Sequence, residues 1–462
     1  MPLQDVPIQP LPYDRFSEVL TPDSFSDFES AVMQGRGEFE GRTVWNVNST
    51  ARGGGVAEML RSLIARAQGA GIDARWVVIS GDPAFFTVTK RIHNHLHGSR
   101  GDGGELAAGE KEIYERTLQP NATELAERVK TGDIVLLHDP QTAGLSSELL
   151  RRGAVVIWRC HVGVDIPNEL AENAWRFLIP YIEDVDSYVF SREAFEWKGL
   201  DPNKMSVIPP SIDAFSPKNQ DMSREQTNAI LQTASVTQVR SDGDAVYQLV
   251  DGSEGHVTRR VEYRDEGPPP PADCRIVLQV SRWDRLKDPL GVVTGFVDNV
   301  SDEDVHLVVA GPSVEAVADD PEGAEVLAEA QAVWRDLPSR VRARVHLACL
   351  PMDDGEENAA IVLEEVHEAW TKLSPADQGR VHLAMIPMDD GDENAAIVNA
   401  MQRRADVVVQ KSIAEGFGLT VAEAMWKGRS VVASRIGGIQ DQIEDGKTGL
   451  LVNDPKDLDE YG

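Results

Sequence analysis

Apolar positions along the chain fall into short buried runs that alternate with stretches of helical spacing. The run Arg42-Thr43-Val44-Trp45-Asn46-Val47 predicts a first strand. After a glycine-rich turn, Val56, Met59, Leu60, Leu63, Ile64 and Ala67 recur at i, i+3, i+4, i+7, i+8 and i+11, one face of a helix. Further strands are predicted at Arg75 to Ser80, Asp133 to His138, Ala154 to Cys160 and Ser187 to Phe190, with helical or loop segments between them. Such alternation predicts an α/β domain built on a doubly wound parallel sheet, whose ligands gather at the carboxyl ends of the strands. Residues 1 to 40 are acidic and weakly patterned, an arm with a helix around Phe25 to Met33.

The pattern lapses over 213–271, which is rich in polar residues and closes with the stiff run Gly267-Pro268-Pro269-Pro270-Pro271. Ala245 to Val250 and Val257 to Tyr263 suit a small hairpin. We therefore expect a first domain over 1–212, an irregular insertion or linker over 213–271, and a second domain over 272–462. The second starts afresh with strands at Arg275 to Val280 and Val305 to Gly311, and others at Asp406 to Gln410, Ser430 to Ser434 and Gly449 to Val452.

Inside the second domain a segment is doubled. Val345 to Val362 recurs 36 residues later as Val381 to Val398 with three substitutions, and Trp334 and Trp370 share the offset. The repeated unit reads as helix, strand and loop, and two copies do not make a solenoid. Copy two runs on through a helix over Asn394 to Arg404 into the strand before Glu415, which predicts copy two in the sheet and copy one as an added edge unit.

A chain of 462 residues, 41% hydrophobic, has ample material for two cores. It holds no apolar run long enough to span a bilayer, and its start, M-P-L-Q-D-V-P, lacks the basic and apolar regions of an export signal, so a cytoplasmic protein is expected. Cys160, Cys274 and Cys349 are too scattered for a disulfide framework or a zinc site. The net charge of −31 argues against nucleic acid or an anionic membrane as partner. It suits a high-salt cytoplasm and an ordinary acidic enzyme alike. Against that background an anionic ligand needs a local cluster of cations, so well-placed Arg and Lys residues are informative.

The candidate chemistry centres on Lys411 to Gly428, K-S-I-A-E-G-F-G-L-T-V-A-E-A-M-W-K-G, a turn that leads from a strand into a helix. Glu415 and Glu423 are eight residues apart, one in the turn and one in the helix, and are placed to hold different parts of one extended ligand. Gly416 and Gly418 permit close approach of a phosphate to the amides that open the helix, flanked by Phe417 and Leu419. In the turn Ser281 to Pro289, Arg282 offers a planar fork and Lys287 a point charge, a pairing suited to a diphosphate, although surface cations alone would read the same way. In the first domain the turn R-G-G-G-V-A-E, with Gly54 and Gly55, is a second phosphate cradle, or only a tight connection. It does not provide G-x-G-x-x-G, which removes a dinucleotide-binding reading. His138, Asp139 and Gln141 stand at one strand end, His161 and Asp165 at another, as ligand contacts or as structural hydrogen-bonders. The Asp pairs at 353–354 and 389–390 invite a metal, but helix capping and loop solvation account for them.

The E-x7-E arrangement, together with V-W-N-V-N-S-T-A-R-G-G-G-V-A-E-M-L, W-R-C-H-V-G-V-D and Q-V-S-R-W-D-R-L-K-D-P, resembles the retaining GT-B glycosyltransferases of glycosyltransferase family 4, which include glycogen and sucrose-phosphate synthases. Within that family the chain looks like the trehalose glycosyltransferring synthase and trehalose phosphorylase group, in patches from about Val44 to Asp454. The resemblance implies two Rossmann-like domains facing across a cleft, a nucleoside-diphosphate glucose as donor, glucose as acceptor and trehalose as product, with no cofactor and no metal. It implies catalytic roles for Glu415, Arg282, Lys287 and His161, the last as a contact to the donor sugar. Gly54, Gly55, Gly416, Phe417, Gly418, Leu419 and Glu423 become donor-binding, Glu423 through the ribose. His138, Asp139 and Gln141 are candidates for the acceptor. A phosphorylase that uses inorganic phosphate, and a catalytically silent sugar-binding protein, remain alternatives, and the sequence is compatible with a homodimer. The resemblance also implies further C-terminal helices beyond Gly462, and hence an incomplete end with exposed apolar surface and doubtful activity.

Overall fold

The computed structural model describes residues 3–51, 55–264, 268–312, 323–342, 344–350, 383–385 and 390–461. Gly54, Gly267, Asp353, Asp354, Trp370 and Asp389, named above, lie outside them. The chain divides into two compact units, Met1–Ser211 and Ile212–Gly462.

The first unit carries seven strands: β1 (Leu3–Asp5), β2 (Val44–Asn48), β3 (Ala74–Ile79), β4 (Ile134–His138), β5 (Val155–Cys160), β6 (Ser187–Phe190) and β7 (Met205–Val207). Their order is β1-β3-β2-β4-β5-β6-β7, parallel except for β1, which runs antiparallel to β3. Successive side chains of a strand face opposite layers, and β3 shows it. Val77 and Ile79 join the core under the helices Pro83–Leu96, Ala108–Arg128 and Glu169–Ile182, while Trp76 and Val78 pack with Ala57, Leu60 and Ile64 of the helix Gly55–Gly69. In β2 the same alternation sends Trp45 and Val47 into the larger core and leaves Asn46 and Asn48, both buried, on the other face.

Among the described residues the second unit holds β8 (Val246–Gln248) and β9 (Glu254–His256), a two-stranded hairpin, and eight strands in one sheet. These are β10 (Glu262–Arg264), β11 (Arg275–Val280), β12 (Val305–Pro312), β13 (Val345–Leu350), β14 (Leu383–Met385), β15 (Val407–Gln410), β16 (Ser430–Ser434) and β17 (Leu450–Val452). Their order is β10-β14-β13-β12-β11-β15-β16-β17, parallel apart from β10.

Two expectations are corrected. Residues 213–271 are not a bare linker: Ile230 and Leu231 from the helix Arg224–Thr233, with Val236, Tyr247, Val257 and Val261, pack into one core with Ile276, Leu278, Ala396 and Ile397. Their apolar residues are sparse but turned inward, which a composition reading averages away. The hairpin closes through Glu254–His256, while Glu262–Arg264 joins the large sheet. The second correction concerns the doubled segment. The strand of copy one, β13, lies beside β12, and that of copy two, β14, lies outside it. The chain leaving β12 through the helix Gly323–Asp336 reaches the adjacent slot first, so the second copy adds on the far side, and β10 pairs with both copies.

Candidate functional site

Each sheet reverses its winding once. In the second unit β11 has β12 on one side and β15 on the other, and in the first unit β2 lies between β3 and β4. Loops leaving neighbouring strands at such a point diverge and open a crevice at the carboxyl ends. The candidate residues lie at these two places.

In the second unit the turn after β11 is built by its own carboxylates. Asp284, 1% exposed, accepts a hydrogen bond from the Leu286 amide at 2.8 Å and pairs with Arg282 at 3.5 Å. Asp288 adopts the left-handed conformation at φ 48° and caps the helix Pro289–Asn299 by accepting from the Gly291 amide at 3.0 Å. Lys287 is thereby aimed at the loop after β15, where its ammonium donates to Glu415 Oε2 at 2.6 Å. The same oxygen receives Ser412 Oγ at 3.1 Å and Gln410 Nε2 at 3.3 Å. The two loops are stitched again by the Ile413 amide, which donates to Leu286 O at 2.7 Å. Beneath them Lys411, 1% exposed, is ion-paired to Asp288, donates to Pro455 O and lies over the Tyr461 ring at 5.3 Å.

The loop runs on into the helix Leu419–Trp426, whose N-cap is Gly418 at φ 86°, a residue that brings no side chain to the amides of the first turn. Close backbone packing holds it. Gly437 has φ 46°, and a Cβ there would stand 1.9 Å from Glu415 O; the Gly438 amide donates to Gly416 O at 3.0 Å, and Gln442 Nε2 donates to Phe417 O at 2.6 Å. Glu423 sits in the second turn of the helix but is only 2% exposed. Its carboxylate pairs with Lys218 at 3.0 Å and accepts from Gln402 at 3.4 Å, while Lys427 joins Gln402 at 2.7 Å and Asn219 at 3.0 Å. The ribose contact expected of Glu423 thus requires Lys218 to yield or to share it.

In the first unit β4 ends at His138 and β5 at Cys160, so His138 and His161 emerge side by side. Their rings stack at 5.6 Å and 11°, with His138 Nδ1 3.3 Å from His161 Nε2 and His138 Nε2 3.2 Å from Asn46 Oδ1. His138 is 1% exposed and both its nitrogens are engaged, so the acceptor contact expected of it requires one of those partners to yield. Asp139, at φ 62°, turns back so that its Oδ1 accepts from the His161 amide at 2.7 Å. Burial pushes its carboxyl up to about 7, against the opposing pull of that amide and of Arg159. Burial lowers His138 to about 3 and holds His161 well below the ordinary imidazole value, with the Arg159 charge acting in the same direction on both. Gln141 Oε1 is buried without a hydrogen bond among the described residues, an acceptor awaiting a donor. Asp165 is committed to an ion pair with Arg192. Gly55 opens its helix in an exposed position.

The sequence reading missed Asn46, Lys218, Gln402, Lys411 and Asp288. Asn46 had a signal: it and Asn48 are the polar residues of V-W-N-V-N, set among Val and Trp in a strand read as buried. Lys218 had none, because it lies in the segment taken for a linker. Among the described residues no group of three His, Cys, Asp or Glu side chains gathers to hold a metal ion, and no helix is long and apolar enough to cross a membrane.

Residues 46–197 match the family model described as trehalose synthase, N-terminal domain, and residues 391–461 match glycosyl transferases group 1. A solved α,α-trehalose-phosphate synthase from Burkholderia xenovorans superposes with a TM-score of 0.58 at 13% identity, over 91% of this chain and 90% of that one, a likeness of fold. Paired Rossmann-like units with these loops at their winding reversals define a glycosyltransferase of the GT-B class. Trehalose synthase of Rubrobacter xylanophilus is 34% identical over 421 residues, 90% of this chain and 80% of that protein. Trehalose synthase of Pyrococcus horikoshii is 33% identical over 427 residues, 92% of this chain and 81% of that protein. The chain belongs to the trehalose synthase family.

Proposed function

We propose that the protein transfers a glucosyl group from a nucleoside-diphosphate glucose to glucose with retention of configuration, forming trehalose, and that it also runs this reaction in reverse. The observation that carries the reading is the Lys287 ammonium held 2.6 Å from Glu415, on two loops fastened together beside the Gly418-capped helix, in a chain of this family. Departure of the nucleoside diphosphate leaves positive charge on the anomeric carbon and puts negative charge on the phosphate. Lys287, Arg282 and the first-turn amides from Gly418 onward stabilise the latter, with Gly416, Phe417 and Leu419 shaping the site. Preorganised charge of this kind accounts for most of the rate enhancement in many enzymes. It supplies the neutralisation without a metal ion.

Glu415 accepts hydrogen bonds from glucosyl hydroxyls in this reading, and Glu423 from the ribose once Lys218 shares it. In the same reading Gly55 is a donor-binding residue, and Asp139 and Gln141 bind the acceptor. Attack comes from the face that the diphosphate leaves, and a donor phosphate oxygen takes the proton of the acceptor hydroxyl. Retention follows without a covalent sugar on the enzyme. The setting is cytoplasmic.

The test is to incubate the protein with trehalose and, separately, UDP, ADP, GDP or inorganic phosphate, and to measure released glucose. Release with one of the nucleoside diphosphates and formation of the matching nucleotide sugar is expected. Release with phosphate alone would make the protein a phosphorylase. Binding of a nucleotide sugar in calorimetry with no turnover in any arm would make it a silent sugar-binding protein.

A further inference from the structure

Asn46 from β2, His138 from the end of β4 and His161 after β5 form a hydrogen-bonded row on one face of the first unit's sheet end. An amide oxygen only accepts, so the contact from Asn46 Oδ1 at 3.2 Å places the single hydrogen of a neutral His138 on Nε2. The lone pair of His138 is then on Nδ1, and the nitrogen facing it at 3.3 Å, Nε2 of His161, must carry the second hydrogen. What remains is Nδ1 of His161, a lone-pair acceptor that makes no hydrogen bond among the described residues. His161 is only half-buried, whereas His138 is enclosed.

The surroundings preserve this order. Burial keeps both rings neutral, and Arg159, two residues before His161 on β5, discourages a proton on either. Asp139 spends its Oδ1 on the His161 backbone amide rather than on either ring, and Cys160 is buried with its thiol pushed well above its usual value, so the thiol brings no competing charge to the ring row. Asn46 itself is 4% exposed in the middle of a central strand, where an amide costs stability unless it is used.

We propose that Asn46 and His138 are positioning residues that lock His161 in its Nε2–H tautomer, so that Nδ1 accepts the hydrogen of one hydroxyl of the bound glucosyl group. The inference rests on the glucosyl-transfer reading above, with His161 at the donor sugar. It adds a direction to that contact: the ring can take a hydroxyl hydrogen there and cannot give one, so a sugar with fluorine at that carbon loses the bond.

Three measurements test it. Asn46→Leu is expected to lower kcat roughly 10- to 100-fold with little change in the KM for glucose, since it misorients a contact without touching the acceptor. Asn46→Asp restores part of that loss above about pH 8, because a carboxylate also only accepts. It also adds a fall in rate as pH drops, since the new charge raises His138 and a protonated His138 has no lone pair to offer. The ring Cδ2 resonance of His161, labelled with 13C and assigned by comparison with His161→Gln, reports the tautomer in the unaltered protein and so decides the matter even where a variant misfolds. An Nδ1–H tautomer, or an Asn46→Leu protein with wild-type kcat and pH profile, overturns the inference. Full activity in His161→Ala would instead sink the reading of the sugar site on which it stands.

Discussion

Lys287 and Glu415 meet at 2.6 Å with side chains 18% and 10% exposed, and each is placed by backbone that has little freedom to move. Replacing either by Ala is expected to lower kcat roughly 10²- to 10³-fold with the melting transition retained, because what is lost is stabilisation of charge that develops only during reaction. Glucose release from trehalose and the preferred nucleoside diphosphate checks this, and unchanged rates would remove both residues from the site. Gly437→Ala is a subtler probe. At φ 46°, with Glu415 O 1.9 Å from the position of the new methyl, the loop must shift, at a cost of roughly 1–3 kcal/mol and a loss of activity beyond the loss of stability. On the first unit, pH separates two groups. His138 stays neutral in the fold down to about 3 but titrates near 6.5 when unfolded, so the unfolded state binds more protons in that window. Stability therefore falls as pH drops through it, by about 1.4 kcal/mol per pH unit per group. Asp139 acts oppositely: its carboxyl is raised to about 7, the folded state holds the extra proton, and stability falls as pH rises from about 4 to 7. Asp139→Asn removes only the second slope, so its denaturation midpoint should gain on wild type as pH increases. A difference that stays flat between pH 4 and 8 contradicts the burial of that carboxyl.

Elements explain why much of this was readable. Most of the parallel strands announce themselves as short apolar runs, β4 running into His138 and β12 into Gly311; β6, β11 and β16 begin and end where the hydrophobic pattern does. Lys287 and Glu415 were legible because motif spacing fixes which strand end each occupies. The supports beneath them were not, because they join residues far apart in sequence: Lys411 reaches Asp288 and Pro455, and Glu423 reaches Lys218. No local period encodes such pairs. Their expected cost can be measured. Asp288→Ala strands a lysine that is 1% exposed and should destabilise the second unit by about 3–5 kcal/mol, whereas Lys411→Met leaves a partly exposed carboxylate and should cost less. Equilibrium unfolding in urea ranks the two, and the reverse ranking would show that the ammonium is not the buried partner that matters. The position of the doubled strand was illegible for another reason, since near-identical copies carry no information about which reaches a slot first.

At the scale of the whole molecule, a net charge of −31 spread over 462 residues sets a self-repulsion that counterions relieve. The Debye length contracts from about 10 Å at 0.1 M salt to about 3 Å at 1 M. The melting temperature is accordingly expected to climb over that range with sodium chloride, and with potassium chloride to a similar extent. A melting point that does not respond would mean that the acidic side chains are already balanced by local partners. The paired strands β13 and β14 have a different consequence. They are parallel neighbours, drawn from segments that differ at three of their positions, and only the later segment feeds the helix that leads to β15. An in-frame excision of 345–380 hands the vacated slot to a near twin, whose own downstream route to Glu415 is intact. The gene is thus expected to tolerate loss of one period, and glucose release and thermal unfolding of a protein lacking 345–380 check it.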